Sequence, residues 1–268
     1  MKIIIFISCI IFSFHQEIKA QSTASKQVST FVIEAPELNT KKKIWLYLPK
    51  SYTNSTIDYP VIYMHDAQNL FDASTSFVGE WNIDEYIDSL SEKEVIVVGI
   101  EHGNEKRIEE LTPYVHKDYG GGKGDSYLLF IINTLKPQID SNYRTLKAKE
   151  HTTMIGSSLG GLISFYAILK YPDTFGSVGI FSPAFWVNPE IYDLASSTIY
   201  ENSLRFYFLA GTDESETMVE NMNRMIDVLI SKGVKNSNIQ KQIIEGGQHN
   251  EALWRTYYPD AHQWLIKN

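Results

Sequence analysis

The stretch His151 to Lys170 holds Gly156-Ser157-Ser158-Leu159-Gly160, a G-x-S-x-G match set between two differently patterned segments. Thr152 to Ile155 is short, β-branched and apolar, which suits a buried strand. Leu159 to Tyr171 carries apolar residues at helical spacing. A chain that turns sharply from strand to helix at a serine leaves no room beside it. Side chains at Gly156 or Gly160 are therefore expected to collide with the turn. Such a turn presents the serine hydroxyl at a helix N-terminus, where backbone N–H groups can meet a developing negative charge. Gly161 keeps that helix face small, so it can lie close to a sheet. Ser and Gly are also common in ordinary turns. The strand before and the helix after distinguish this one, and the pattern names Ser158 rather than Ser157 as the nucleophile.

The rest of the chain repeats the alternation. Strands are read at 28–34, 44–48, 60–64, 95–100, 178–181, 204–209 and 239–244, and helices at 81–90, 218–230 and 251–266. Asp125 can cap a further helix running through Phe130 and Leu135. Gln21 to Lys26 reads as loose, and Glu101 to Gly124 as a long irregular loop of the kind that carries function. Strands alternating with helices predict a mainly parallel sheet covered on both faces. The length of 268 residues, without repeats or linkers, suits one α/β domain over 21–268.

Charge excludes some partners. A net charge of −8 argues against nucleic acid or an anionic membrane, both of which need a basic face. Residues 1–20 read as a signal peptide: Met1-Lys2 is basic, and Ile3 to Phe14 is apolar but too short to span a bilayer. Ile18-Lys19-Ala20 supplies a cleavage site before Gln21, so a periplasmic or secreted protein is expected. The single cysteine, Cys9, sits in the middle of the apolar run, where a lipoprotein cleavage site would need it after the run. No membrane anchor is therefore expected. The mature chain has no cysteine, which rules out disulfides, thiol catalysis and thiolate metal sites. Oligomeric state is not legible.

A serine hydroxyl needs a general base, and the base needs a carboxylate to orient it. In a strand–turn–helix site the chain order is Ser, then Asp or Glu, then His. Only His249 and His262 follow Ser158. His249 lies in the glycine-rich loop Glu245-Gly-Gly-Gln-His-Asn250 after the last strand, whereas His262 has helical spacing and reads as structural. The acid comes from Gly211-Thr-Asp-Glu-Ser-Glu216, where Asp213, Glu214 and Glu216 compete with an ordinary acidic helix start. Spacing from Gly211 favours Glu214, with Asp213 the alternative. The oxyanion of a tetrahedral intermediate needs two N–H donors. One is Leu159, directly after the nucleophile. The other is Ala67 or Gln68, in the turn after the strand ending at Met64.

Several segments together carry a resemblance. They are Tyr59 to Phe71 (YPVIYMHDAQNLF), Trp81 to Glu85 (WNIDE), Arg107 to Tyr114, Leu135 to Ile139, Gly156 to Gly161, Ser182 to Trp186 (SPAFW) and Gly247 to Trp254 (GQHNEALW). The chain resembles, over about residues 40–266, the esterase family of α/β hydrolases that includes enterochelin-type siderophore esterases, esterase D-like enzymes and feruloyl esterases. The resemblance implies the α/β-hydrolase fold and a serine carboxylic ester hydrolase without metal or cofactor. It places the acid three residues after the glycine, at Glu214. Family members often have Asp-Gly-Gln where this chain has Asp66-Ala67-Gln68, so the extra methyl is expected to narrow the pocket. Trp186 and Trp254 could stack on a flat acyl or sugar group, with core packing as the competing reading. Tyr114 is placed on the same rim. Arg107 and Lys123 are candidate contacts for an anionic part of the substrate, with a solvated charge as the alternative. The expected substrate is a small-molecule or glycan ester with a bulky, partly aromatic or polar group. An acyltransferase with the same triad and a non-catalytic binding protein of this fold are the rival readings.

Overall fold

In the computed structural model, which describes residues 21–266, the β-branched runs pair into one eight-stranded sheet. In chain order the elements begin with β1 (Val28–Ala35), β2 (Thr40–Tyr47), β3 (Val61–His65), α1 (Ile83–Asp88) and β4 (Ile96–Ile100). There follow α2 (Arg107–Leu111), the two-residue strands β5 (Val115–His116) and β6 (Gly120–Gly121), α3 (Gly124–Leu129) and α4 (Lys136–Asn142). The last part comprises β7 (Thr152–Ser157), α5 (Leu159–Lys170), β8 (Ser177–Phe181), α6 (Glu190–Ser197), β9 (Arg205–Gly211), α7 (Met218–Ser231), β10 (Ile239–Ile244) and α8 (Glu251–Leu265). The sheet order is β1-β2-β4-β3-β7-β8-β9-β10. β1 and β2 are antiparallel; from β4 onward every pairing is parallel.

Successive side chains of a strand point to opposite faces, and both faces of this sheet are buried. Tyr63 of β3 and Met154 of β7 join α2 to α7 in one core, whereas Met64 and Ile155 join α1 and α8 in the other. α5 lies against the middle of the sheet with Leu159 through Leu169 all buried. No helix of the described residues is long and apolar enough to cross a membrane.

Three expectations change. The stretch 101–124 is built rather than irregular. A buried Lys42–Glu110 ion pair of 2.7 Å fixes α2 to β2. Gly120, Gly121 and Gly122, all at positive φ, let the chain fold back so that Gly122 N–H reaches Thr112 Oγ1. Asp125 lies inside the first turn of α3 rather than capping it, and its carboxylate accepts the Tyr166 hydroxyl at 2.8 Å. Gln21 to Lys26 is not loose: Ser22, Thr23 and Ser25 bond to the carboxylates of Asp72, Glu80 and Asp84.

The parallel strands β7 to β10 end side by side, and the loops that follow touch. Asp213 N–H donates to Gly247 O at 2.9 Å, and Thr212 N–H to Ile244 O at 2.9 Å. A Cβ on Gly211 would lie 2.1 Å from Gly247 O, so backbone would have to move to admit one. Overpacking of this kind costs about 1–3 kcal/mol. Gly211→Ala should therefore lower Tm by roughly 2–10 °C, which thermal unfolding followed by circular dichroism will measure. An unchanged Tm would show that the two loops are not in contact.

Candidate active site

The sharp turn between β7 and α5 leaves Ser158 at φ 57° and ψ −120°. A non-glycine residue held there carries strain of about 1–3 kcal/mol, which the surroundings must offset. They do so through backbone: Ser158 N–H donates to Phe181 O at 2.9 Å, and Ser158 O accepts from Ala184 N–H at 3.0 Å. Gly156 is essential to the turn, because a Cβ there would lie 2.5 Å from the Gly160 carbonyl. Gly160 itself departs from expectation. Its Cβ would have no neighbour nearer than His65 Cβ at 3.4 Å, an ordinary contact. The second tight position is Gly161, where a Cβ would meet Phe181 O at 2.9 Å. His65 lies beneath the turn, between the Tyr127 hydroxyl at 2.7 Å and Ser164 Oγ at 3.1 Å. Burial lowers its pKa to about 4, so it remains neutral near pH 7.

His249 stands in the loop after β10, and its Nδ1 bonds Glu214 Oε2 at 2.7 Å. The Glu214 side chain is fully buried, at 0% exposure, while that of His249 remains 35% exposed. The other Glu214 oxygen, Oε1, accepts from Gly211 N–H at 2.6 Å and from Ser182 Oγ at 2.7 Å. A carboxylate with three donors is thus fixed in place and directed at the imidazole. Asp213, the alternative acid, is exposed and accepts only from the neighbouring Thr212 hydroxyl among the described hydrogen bonds.

Ser158 and His249 line two adjoining cavities. The first, of about 660 Å³, is walled largely by Ile108, Tyr119, Leu159, Trp186, Val187 and Met218, with Glu214 at its edge. The second, of about 300 Å³, is the more polar of the two and is lined by Asp66, Gln68, Asn69, His102 and Glu251, together with Phe77, Val78 and Trp254. Gln68 reaches this cavity, whereas Ala67 is fully buried and does not line either one. The Ala67 methyl packs opposite Gly99, where an added Cβ would come within 2.8 Å of it. It therefore fills core rather than narrowing the pocket. Leu159 is the first residue of α5, so its N–H has no acceptor within the helix.

The aromatic and basic candidates separate. Trp186 is 52% exposed on the wall of the larger cavity, edge-to-face with Tyr119 at 6.0 Å. Trp254 borders the smaller cavity but is only 5% exposed. It is buried behind His249, its ring 5.1 Å from the imidazole and perpendicular to it, and its indole N–H donates to Ser182 Oγ at 2.8 Å. Tyr114 packs on Tyr166 and lines neither cavity. Lys123 pairs with Glu109 at 2.5 Å and stands outside both cavities. Arg107 borders both, but its guanidinium is already held by the Asp66 carboxylate through two bonds of 2.7 and 2.8 Å. Sequence reasoning did not assign roles to Ser182, Tyr119 or Glu251. Ser182 had a signal, since it opens the segment SPAFW directly after a strand.

Chemically, the set offers a strained hydroxyl and an imidazole backed by a buried carboxylate. Such a set can form and release a covalent acyl group. The model of the family described as "Putative esterase" matches residues 35–265. The chain is 30% identical over 246 residues to the "Uncharacterized protein YbbA" of Bacillus subtilis (strain 168), covering 84% of this chain and 92% of that one. It is 25% identical over 196 residues to the ferri-bacillibactin esterase BesA of the same organism, covering 65% of this chain and 59% of BesA. The solved structure of the BES protein from Bacillus cereus superposes with a TM-score of 0.74 at 20% identity, covering 94% of this chain and all of that one. The fold is that of the α/β hydrolases.

Reactivity toward a fluorophosphonate reads out the hydroxyl–imidazole–carboxylate set without presuming a substrate. Glu214→Gln should slow labelling about 10²- to 10⁴-fold, while Asp213→Asn should change it less than about 3-fold. A larger loss for Asp213→Asn would overturn this reading of the acid.

Proposed function

The chain belongs to the esterase family matched over residues 35–265, and on that footing we propose that it is an exported serine ester hydrolase acting through an acyl-enzyme. The observation that carries the reading is His249, held by the buried Glu214 carboxylate and lining the same two cavities as the strained Ser158. Ser158 Oγ attacks the ester carbonyl carbon and His249 takes the hydroxyl proton. The negative charge moves to the carbonyl oxygen, beside the N–H groups of Leu159 and Gln68. As the C–O bond breaks, His249 gives its proton to the departing alkoxide. Water enters, loses a proton to His249 and attacks the acyl carbon, and the acid leaves as Ser158 recovers its hydrogen. Glu214 keeps the Nδ1–H tautomer and stabilises the imidazolium formed twice in the cycle.

The larger cavity suits a flat aromatic group set between Trp186 and Tyr119, with Ile108, Val187 and Met218 around it. We assign it to an aromatic acyl group of the catecholate or feruloyl type, on a siderophore or a carbohydrate alcohol. The relatives named as ferri-bacillibactin esterase and endo-1,4-beta-xylanase/feruloyl esterase support that class. Charge favours an uncharged substrate over an anionic one. Among the described residues lining the two cavities, Arg107 alone carries permanent positive charge, and Asp66 already neutralises it. Export rests on the basic start and the apolar run of residues 1–20, which lie outside the described residues. Sequencing of protein recovered outside the cytoplasm should begin near Gln21. Full-length protein in the cytoplasm would contradict export.

Ser158→Ala should remove esterase activity on the order of 10⁴- to 10⁶-fold with Tm unchanged, and Ser157→Ala should not. Equal losses would refute the nucleophile. Trp186→Ala should raise KM for a feruloyl ester about 10-fold, against less than about 2-fold for an acetyl ester of the same alcohol. Preference of the unaltered enzyme for p-nitrophenyl palmitate over both would sink the aromatic assignment.

A further inference from the structure

Away from both cavities, three carboxylates converge where the N-terminal segment crosses the loop before α1. Their oxygens, from Glu80, Asp84 and Glu85, lie within 4.8 Å of one another. Asp84 is 0% exposed and Glu80 is 4% exposed, so neither is a solvated surface acid. Each has one oxygen bonded to the N-terminal segment: Glu80 Oε2 accepts the Thr23 hydroxyl at 3.0 Å, and Asp84 Oδ2 accepts Ser25 N–H at 2.7 Å. The remaining oxygens, Glu80 Oε1 and Asp84 Oδ1, are buried and accept no hydrogen bond from a hydroxyl, amide or cationic donor, and the hydroxyl of Ser25, whose N–H holds Asp84, is likewise buried without a partner. Among the described residues no lysine, arginine or histidine nitrogen lies within 4.0 Å of these carboxylates. Arg255 Nη1 donates to the Glu80 backbone carbonyl at 2.7 Å rather than to any of the three carboxylates.

Buried negative groups are ordinarily paired with a cation or coordinate a metal. Here the donor set consists of oxygen alone, which hard cations select. We propose that Glu80, Asp84 and Glu85 form a calcium site, with the Ser25 hydroxyl as a further ligand. The three oxygens lie within 4.8 Å of one another, close enough to share one ion, and calcium accepts an irregular set of protein oxygens where magnesium demands near-octahedral geometry and keeps most of its waters. The ion neutralises the carboxylates and joins three pieces of chain: the N-terminal segment, the 72–82 loop and α1. The 72–82 loop carries Phe77 and Val78, which form part of the wall of the smaller cavity. The ion braces that wall without touching a reacting atom.

The test uses the purified protein, first stripped with EDTA. Terbium, which takes the same oxygen ligands as calcium, should give saturable luminescence excited through the adjacent Trp81, and calcium should displace it. Calcium at about 100 times Kd should raise Tm by roughly 5–10 °C over sodium chloride of equal ionic strength, and magnesium should do much less. Asp84→Asn and Glu85→Gln should each weaken both responses at least ~10-fold. Glu85 is exposed, so Glu85→Gln decides the matter even if Asp84→Asn does not fold. Absence of both the saturable signal and the Tm rise, or an equal response in Glu85→Gln, overturns the proposal.

Discussion

The Glu214 carboxylate is the point on which the active end of this molecule depends. Its two oxygens receive the Gly211 N–H, the Ser182 hydroxyl and His249 Nδ1. Those donors come from the ends of three neighbouring parallel strands, β8, β9 and β10. One buried charge therefore sets the relative positions of three loops, and loss of any donor would leave part of it unsatisfied in a region closed to water. Trp254 extends the network, because its indole N–H fixes Ser182 while its ring closes one side of His249. The indole thus supports the site as a structural neighbour.

A second constraint comes from the turn at Ser158. The strain there is sustained by β8, whose Phe181 carbonyl takes the Ser158 N–H. The close approach of α5 to that same carbonyl depends on Gly161. The sheet order then decides what surrounds the hydroxyl. β3 on one side of β7 delivers Asp66 to Gln68, and β8 on the other delivers Ser182 to Trp186. This is why the two cavities differ so strongly in character while sharing one serine and one histidine. The polar side belongs to the β3 loop, and the aromatic side to the β8 loop and the folded-back hairpin carrying Tyr119.

The parallel sheet, the strained serine turn and a histidine after the last strand follow from the sequence with little ambiguity. Each is a local matter of period, glycine placement or chain order. The stretch 101–124 misled for a reason that is equally physical. Its order comes from Lys42, which pairs with Glu110 across 68 residues of chain, and from Thr112, which receives the returning glycines. The roles of Trp186 and Trp254 could not be told apart in the sequence, since both fall on loops or helix starts expected near the rim. One is half exposed and the other buried only because of which neighbours the fold supplies.

By itself the sequence determined the fold class, the position of the turn and the order of serine, acid and histidine, because hydrophobic period and backbone permissiveness act over a few residues. Only the tertiary structure decided that Glu214 rather than Asp213 meets the imidazole. It likewise paired Arg107 with Asp66, turned Lys123 away from the cavities, and gathered Glu80, Asp84 and Glu85 under Ser25. Each of those outcomes depends on burial and on partners distant in the chain, and electrostatic interactions take their strength from both.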